Sequence, residues 1–254
     1  KTINDKTIAY LKRTDINLDL VDVFISDENE YELYKNNIDV NIIKGAIGCG
    51  GNRNFITRYY KENQKILFMD DDIKTVSKYI NKKKLLEIKD LDLMIKENFQ
   101  ISLSKNNNLW GIYPVHNAFF MKENVTFDIR YIIGCFYGVV NNHKEHAFVD
   151  LEDKEDFERT IKYFLNDNGV TRFNYIAPST VYYKEAGGMQ ETRTKERVKS
   201  SALILAKKYP KLCKVFISKK GYYEIRFKNV NTDNDTTITW KDGDGSNTLI
   251  SEAT

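Results

Sequence analysis

Apolar residues fall in short runs that stop abruptly at polar or charged groups. Residues 20–25 (LVDVFI), 40–43 (VNII) and 65–69 (KILFM) have the length and β-branched content of buried strands. Between them, 30–35 predicts a short helix, and a longer helix is expected after Asn52, a candidate cap. Strands alternating with helices at this spacing predict an α/β domain with a largely parallel sheet. Upstream, 1–18 predicts a helix with Ile3, Ile8, Leu11 and Ile16 on its apolar side. Downstream, helices are expected over 73–80, 86–105, 156–165 and 198–208, the last stopped at Pro210. Strands are expected over 109–113, 118–121, 132–140 and 173–176, and a hairpin over 215–218 and 222–227. The polar stretch after Asn229 predicts a peripheral tail, so the division is one domain over 1–228 and a tail over 229–254.

A chain of 254 residues, 41% hydrophobic, is long enough to bury a real core. Net charge is only +3, so any argument about nucleic acid rests on where the charges lie. Cys49, Cys135 and Cys213 are odd in number and far apart, with neither zinc spacing nor a disulfide framework, which points to a reducing, cytoplasmic compartment. No apolar stretch approaches the ~18–20 residues of a membrane span, and no signal-peptide pattern is present, so no membrane partner is expected.

The candidate chemistry begins with Asp70, Asp71 and Asp72 at the end of the run Ile66-Leu67-Phe68-Met69. Adjacent carboxylates repel, and clustering them at a strand end is unfavourable unless a cation or strong donors offset the repulsion. On an extended segment Asp70 and Asp72 point to the same side, so the pair would hold Mn²⁺ or Mg²⁺ beside a nucleotide, with Asp71 turned away as a supporting or capping group. The same triplet also suits a solvated acidic turn. Residues 45–51 (GAIGCGG) are glycine-rich but match neither a P-loop nor a dinucleotide fingerprint. Such a turn presents backbone N–H groups to an anion, with Arg53 adding a phosphate contact, or simply meets a need for positive φ.

Residues 152–159 (EDKEDFER) are acidic at a helix start, where carboxylates ordinarily complement the dipole. One of them is a candidate general base: Asp156, with Glu155 as the neighbouring alternative. From Gly187 to Lys228, basic residues including Arg193 and Lys195 interleave with Tyr209, Phe216, Tyr222, Tyr223 and Phe227. That mixture suits a polyanion, or a solvated face of snorkelling lysines. Arg193 and Lys195, following Gly187-Gly188, equally suit a clamp on a leaving diphosphate. His143-x-x-His146 lacks a partner at metal spacing and predicts a surface turn, and His116 predicts a loop or core histidine or a group lining an acceptor site.

The order strand–Asp27, glycine loop with Arg53-Asn54, strand–Asp70-Asp71-Asp72, then Glu155-Asp156 on a helix resembles the GT-A glycosyltransferases. The segments 53–72, 113–117 (YPVHN), 155–159, 187–190 (GGMQ) and 196–199 (ERVK) are similar to the base-modifying branch, which includes the base J glucosyltransferase and related phage enzymes. The resemblance implies a GT-A-like mixed, mostly parallel sheet flanked by helices, with a C-terminal helix and hairpin. It implies a UDP-sugar donor, UDP-glucose by default, held by Asp27, Arg53, Asn54, Asp70, Asp71, Gly188, Arg193 and Lys195. It implies Mn²⁺ or Mg²⁺ on Asp70 and Asp72, and Asp156 or Glu155 as the acceptor base of an inverting transfer. The implied acceptor is DNA carrying a hydroxymethylated uracil or cytosine, in host cytoplasm if the chain is viral. A glycan or protein acceptor, or a binding module without catalysis, are the alternatives. Family members open with a strand that begins the nucleotide pocket, whereas this chain starts in the helix after it. That strand is expected upstream of Lys1, or the pocket is built differently.

Overall fold

The computed structural model describes residues 3–26, 28–35, 37–180 and 194–228. The chain opens with a π turn, Asn4–Ile8, that runs into α1 (Ala9–Arg13). Strand β1 (Asp22–Ile25), helix α2 (Glu28–Tyr34) and strand β2 (Asn41–Lys44) follow, and β1 and β2 pair in parallel. Helix α3 (Cys49–Tyr59) leads to β3 (Lys65–Met69), and then β4 (Thr75–Asn81) and β5 (Lys84–Glu87) form a hairpin. Helix α4 (Leu91–Leu103) is capped by Asp90, whose Oδ1 accepts from Leu93 N at 2.9 Å. Strands β6 (Leu109–Ile112), β7 (Val125–Thr126) and β8 (Phe136–Val140) precede α5 (Glu155–Asp167). Strands β9 (Thr171–Phe173) and β10 (Ile176–Ser179), helix α6 (Lys195–Lys208) and the hairpin β11 (Cys213–Ile217) with β12 (Tyr223–Phe227) complete the described fold.

The α/β class, the mixed character of the central sheet and the C-terminal helix and hairpin agree with expectation. The predominance of parallel pairing does not. The central sheet runs β3-β8-β6-β9-β7, and only β6 and β9 are parallel in it. The reason lies in the connections. After β6 the chain returns along β7, antiparallel to β9 at the far edge, and then crosses back so that β8 lies between β3 and β6, antiparallel to both. The β1–β2 pair is not hydrogen-bonded to this sheet.

Alternation along β3 divides the core. Ile66 and Phe68 face one side with Tyr137, Val139, Ile161 of α5, Leu205 of α6 and Ile225 of the hairpin. Leu67 and Met69 face the other, with Tyr10, Leu91, Phe99, Trp110 and Phe173. Trp110 is fully buried and stands edge-on to Phe99 at 5.4 Å and to Phe173 at 5.9 Å. Its cross-strand partner is Gly138, which leaves room for the indole.

Several element expectations are corrected. Where a helix is expected over 73–80, residues 75–81 form strand β4: Thr75, Val76, Tyr79 and Ile80 favour extended backbone, and β10 supplies the ladder from Ile176↔Lys78 to Ser179↔Thr75. Residues 118–121 are a turn, closed by Phe120 N to Asn117 O at 3.2 Å. The run 132–140 is extended strand only from Phe136, and a turn at Asn174-Tyr175 separates β9 from β10. Among the described residues no helix is long and apolar enough to cross a membrane.

A methyl group at Gly138 would lie 2.2 Å from Trp110 Nε1 and 2.3 Å from Cε2. Gly138→Ala is therefore expected to destabilise the fold by about 2 kcal/mol through overpacking, read as a lowered urea midpoint with the slope unchanged.

Candidate active site

The acidic triplet leaves the C-terminal end of β3, where Asp70 N is still paired with Cys135 O at 2.9 Å. Asp70 does not stand alone. Arg53, from the second turn of α3, donates from Nη2 to Asp70 Oδ1 at 2.6 Å and to Gly134 O at 3.0 Å. The guanidinium also lies over the rings of Phe68 and Tyr137. One arginine thus ties the end of β3 to the segment that leads into β8. Asp71 is exposed, yet the protein around its carboxyl, and then the charges of Asp70 and Asp72, push its pKa up. Its charge acts on Tyr34 and Lys6, on the side of α2 and the N-terminal helix. Asp72 is half-buried.

Glu155 and Asp156 open α5 beside the same segment. A β-carbon added at Gly134 would meet Glu155 Oε1 at 3.1 Å and Asp156 Cβ at 3.5 Å, so α5 starts directly against that glycine. Glu155 is buried and paired with Arg159 Nη1 at 3.6 Å. Burial first, and then the charge of Asp156, push its carboxyl up to about 7, against the pull of Arg159 and Arg53. Arg159 stacks on Tyr137 at 3.7 Å, so two guanidinium groups share that ring. Half-buried Asp156 accepts from the Tyr131 hydroxyl at Oδ2 and from Phe157 N at Oδ1. Tyr131 is itself fixed by stacking on Phe157 at 4.3 Å. Residues far apart in sequence, Arg53, Asp70, Gly134 and the Glu155-Asp156 pair, are therefore one constellation.

The glycine-rich segment behaves differently from expectation. Helix α3 begins at Cys49, so Asn52 lies inside it, and its Oδ1 accepts from Ala46 N at 3.3 Å instead of capping. The N–H groups of Gly50 and Gly51 do meet an anion, but it is the Glu152 carboxylate, at 3.0 Å to each. Gly48 has φ 84°, and any side chain there would collide with that carboxylate at 2.3 Å. The phosphate cradle expected of this turn is occupied from within the chain. Asn54 is likewise internal, exchanging two hydrogen bonds with the Val149 backbone at 2.8 and 2.9 Å.

Other expected site residues are dispersed. Lys195, the first residue of α6, lies over the Tyr222 ring at 5.4 Å, at the hairpin. Asp27, Gly188 and Arg193, like the tail over 229–254, lie outside the described residues. His146 makes a local contact to Asn142, His143 reaches Tyr60 O at the end of α3, and His116 Nε2 is 3.1 Å from Ser77 Oγ. Among the described residues no three or more His, Cys, Asp or Glu side chains are placed to hold a metal ion. Of the pair expected to hold a metal, Asp70 is bonded to Arg53 and Asp72 is half-buried at the same strand end; both are hard oxygen donors of the kind Mg²⁺ and Mn²⁺ take.

Sequence reasoning passed over Gly134, Tyr131, Glu152 and Arg159. Two of these carried a signal: a glycine inside an apolar run marks close approach of another group, and Arg159 stands four residues after Glu155 on one helix. No family model matches the chain, and no curated protein or solved structure matches it.

Two measurements probe these contacts. Glu152→Ala leaves the Gly50 and Gly51 N–H groups without their acceptor and is expected to cost about 1–3 kcal/mol in urea denaturation. For Glu155, the folded carboxyl binds its proton more tightly than an unfolded glutamate, so its contribution favours folding at low pH. That contribution is lost as pH rises from the unfolded value near 4.5 towards 7. Glu155→Gln should therefore gain stability relative to the parent between pH 5 and pH 8, checked by denaturation at successive pH values.

Proposed function

We propose that this chain is a glycosyltransferase that moves a sugar from a UDP-sugar to the hydroxyl of a hydroxylated pyrimidine in DNA, with inversion. The observation that carries the reading is the constellation itself. A strand-end carboxylate, Asp70, and a helix-start carboxylate pair, Glu155-Asp156, converge through Arg53 and the Gly134 carbonyl. A donor-side acid cluster facing an acceptor-side base is what displacement at a sugar carbon requires.

In this reading the acceptor oxygen attacks the anomeric carbon as the bond to the UDP oxygen breaks. The bonding electrons leave with the diphosphate, and the acceptor proton passes to Asp156. The Tyr131 hydroxyl orients that carboxylate. Glu155, buried behind it, holds Arg159 and sets the local charge. Asp70 and Asp72 would hold Mn²⁺ or Mg²⁺, which when bound neutralises charge on the departing diphosphate. Arg53 holds Asp70 by an ion pair at 2.6 Å. A base inside a duplex must be flipped out to be reached, at a cost of a few kcal/mol.

The test is UDP release with hydroxymethyluracil duplex DNA during a Mn²⁺ titration. Asp156→Asn is expected to lower the rate by about 10²–10⁴-fold, the usual worth of a general base. Asp72→Ala should weaken the response to Mn²⁺. Full activity in chelator, or UDP release driven by a glycan and indifferent to DNA, would overturn the metal role or the acceptor, respectively.

A further inference from the structure

The lysine-rich stretch after the acidic triplet is a hairpin, and its charge is unusually one-sided. Residues 74–89 carry six lysines and one acid, Glu87. Glu87 is engaged by Arg13 and Lys89. Lys74, Lys78, Lys82, Lys83 and Lys84 are exposed, and among the described residues no carboxylate pairs with them. Lys78 rests over the Tyr175 ring at 5.5 Å. In the C-terminal basic stretch Lys208 pairs with Asp150 and Glu158, Arg197 with Asp153, and Lys195 and Lys199 lie over Tyr222 and Tyr223, while Lys207, Lys211, Lys219 and Lys220 are exposed like the hairpin lysines.

A second feature is fastened to the same hairpin. Phe119 and Phe120 are 64% and 44% exposed, side by side with ring centroids 5.1 Å apart. Two adjacent exposed phenylalanines are costly on a surface that serves nothing. Their turn is rigid: Asn117 Oδ1 accepts from Phe119 N at 3.0 Å, and the next residue, Met121, is buried with Tyr113 and Ala177 against Tyr79 and Leu85. His116 adds a bond to Ser77 of β4. The turn follows β6 at the sheet end where the acidic triplet follows β3, because β3 and β6 both run antiparallel to β8.

We propose that the β4–β5 hairpin tracks the phosphate backbone of the nucleic-acid acceptor, and that Phe119 and Phe120 hold its unstacked base. This rests on the DNA-acceptor reading above and names the surface that serves it. From Thr75 to Asn81 the hairpin extends about 20 Å from the acidic triplet. That length spans about six nucleotide steps of a duplex, so Lys82 and Lys83 at the tip meet phosphates remote from the reacting nucleotide while the rings act close to it. Lysine for the backbone and aromatic faces for the base is the division of labour that an extruded nucleotide calls for.

The experiment is fluorescence anisotropy of a labelled 20-base-pair duplex with one unpaired pyrimidine, titrated at several salt concentrations, beside UDP binding by calorimetry. The triple variant Lys82→Ala, Lys83→Ala, Lys84→Ala should bind at least 10-fold more weakly and lower the slope of log K against log salt by about 2 to 3. Phe119→Ala with Phe120→Ala should keep the parent slope and lose about 5- to 100-fold in affinity for the unpaired site. Circular dichroism and unchanged UDP affinity report that each variant is folded. A parent slope in the lysine variant, with the loss appearing instead in Lys219→Ala with Lys220→Ala, would overturn this inference and leave the DNA acceptor standing. No salt-dependent DNA binding by the parent chain would remove the DNA acceptor and this inference together, while UDP binding would still report on the donor site.

Discussion

The candidate site depends on how the carboxylates of 150–158 are distributed. Between them they reach the start of α3, helix α6 and the segment before β8. Glu152 meets the start of α3, Asp153 pairs with Arg197 of α6, and Asp156 takes the Tyr131 hydroxyl. Glu158 accepts from the backbone of Asp150 and Leu151 and pairs with Lys162 and Lys208. Even the lysine among them, Lys154, is buried and reaches Glu224 of β12 at 2.6 Å. Lys154 adopts φ 63°, and that left-handed step separates Glu152 and Asp153 from Glu155 and Asp156 at the helix start. Like charges that would repel if parallel are thereby set against cations or donors, Lys162 and Lys208 being shared by Asp150 and Glu158.

That distribution decides which acid is left for chemistry. Buried carboxylates with full complements of donors are structural, and removing a partner would strand a charge. Lys208 first, with Lys162, holds Asp150 down at about 2, as a firmly paired acid should be. Glu155 is the opposite case: burial outweighs its arginines, so its carboxyl titrates near neutrality. An acid of that kind next to a half-exposed one is a recurrent arrangement where protons are moved. Arg53 then makes the geometry common to both sides, since the same nitrogen contacts Asp70 and Gly134.

Much of the frame was legible from pattern. The strands at 22–25, 41–44 and 65–69, the helices at α4, α5 and α6, and the C-terminal hairpin all follow from apolar periodicity and breakers. Strand direction was not legible, because period-two alternation is blind to which neighbour a strand pairs with, and β8 chose an antiparallel place between two parallel strands. The segment 73–80 misled because lysines at 74 and 78 imitate a helical polar face, whereas tertiary pairing with β10 decides its state. At the site, the acids at 70, 155 and 156 were visible as residue types. Their partners were not, since Tyr131, Gly134 and Arg159 gain meaning only from folding. The glycine turn was open to two readings, an anion site or a need for positive φ; Gly48 has φ 84°, and the anion at Gly50 and Gly51 is Glu152, about a hundred positions away, which no local pattern reports.

The three free thiols illustrate a last consequence of this packing. Cys135 and Cys213 are buried, and Cys49, in the first turn of α3, has its thiol pushed up by burial and then by the charge of Glu155. Burial likewise pushes the Cys213 thiol up, so at neutral pH Cys49 and Cys213 are thiols rather than thiolates and poor nucleophiles, and Cys135 is shielded by burial. The folded chain should tolerate maleimide and mild oxidants, so a cysteine placed at an exposed position can carry a spectroscopic label without first removing the native three.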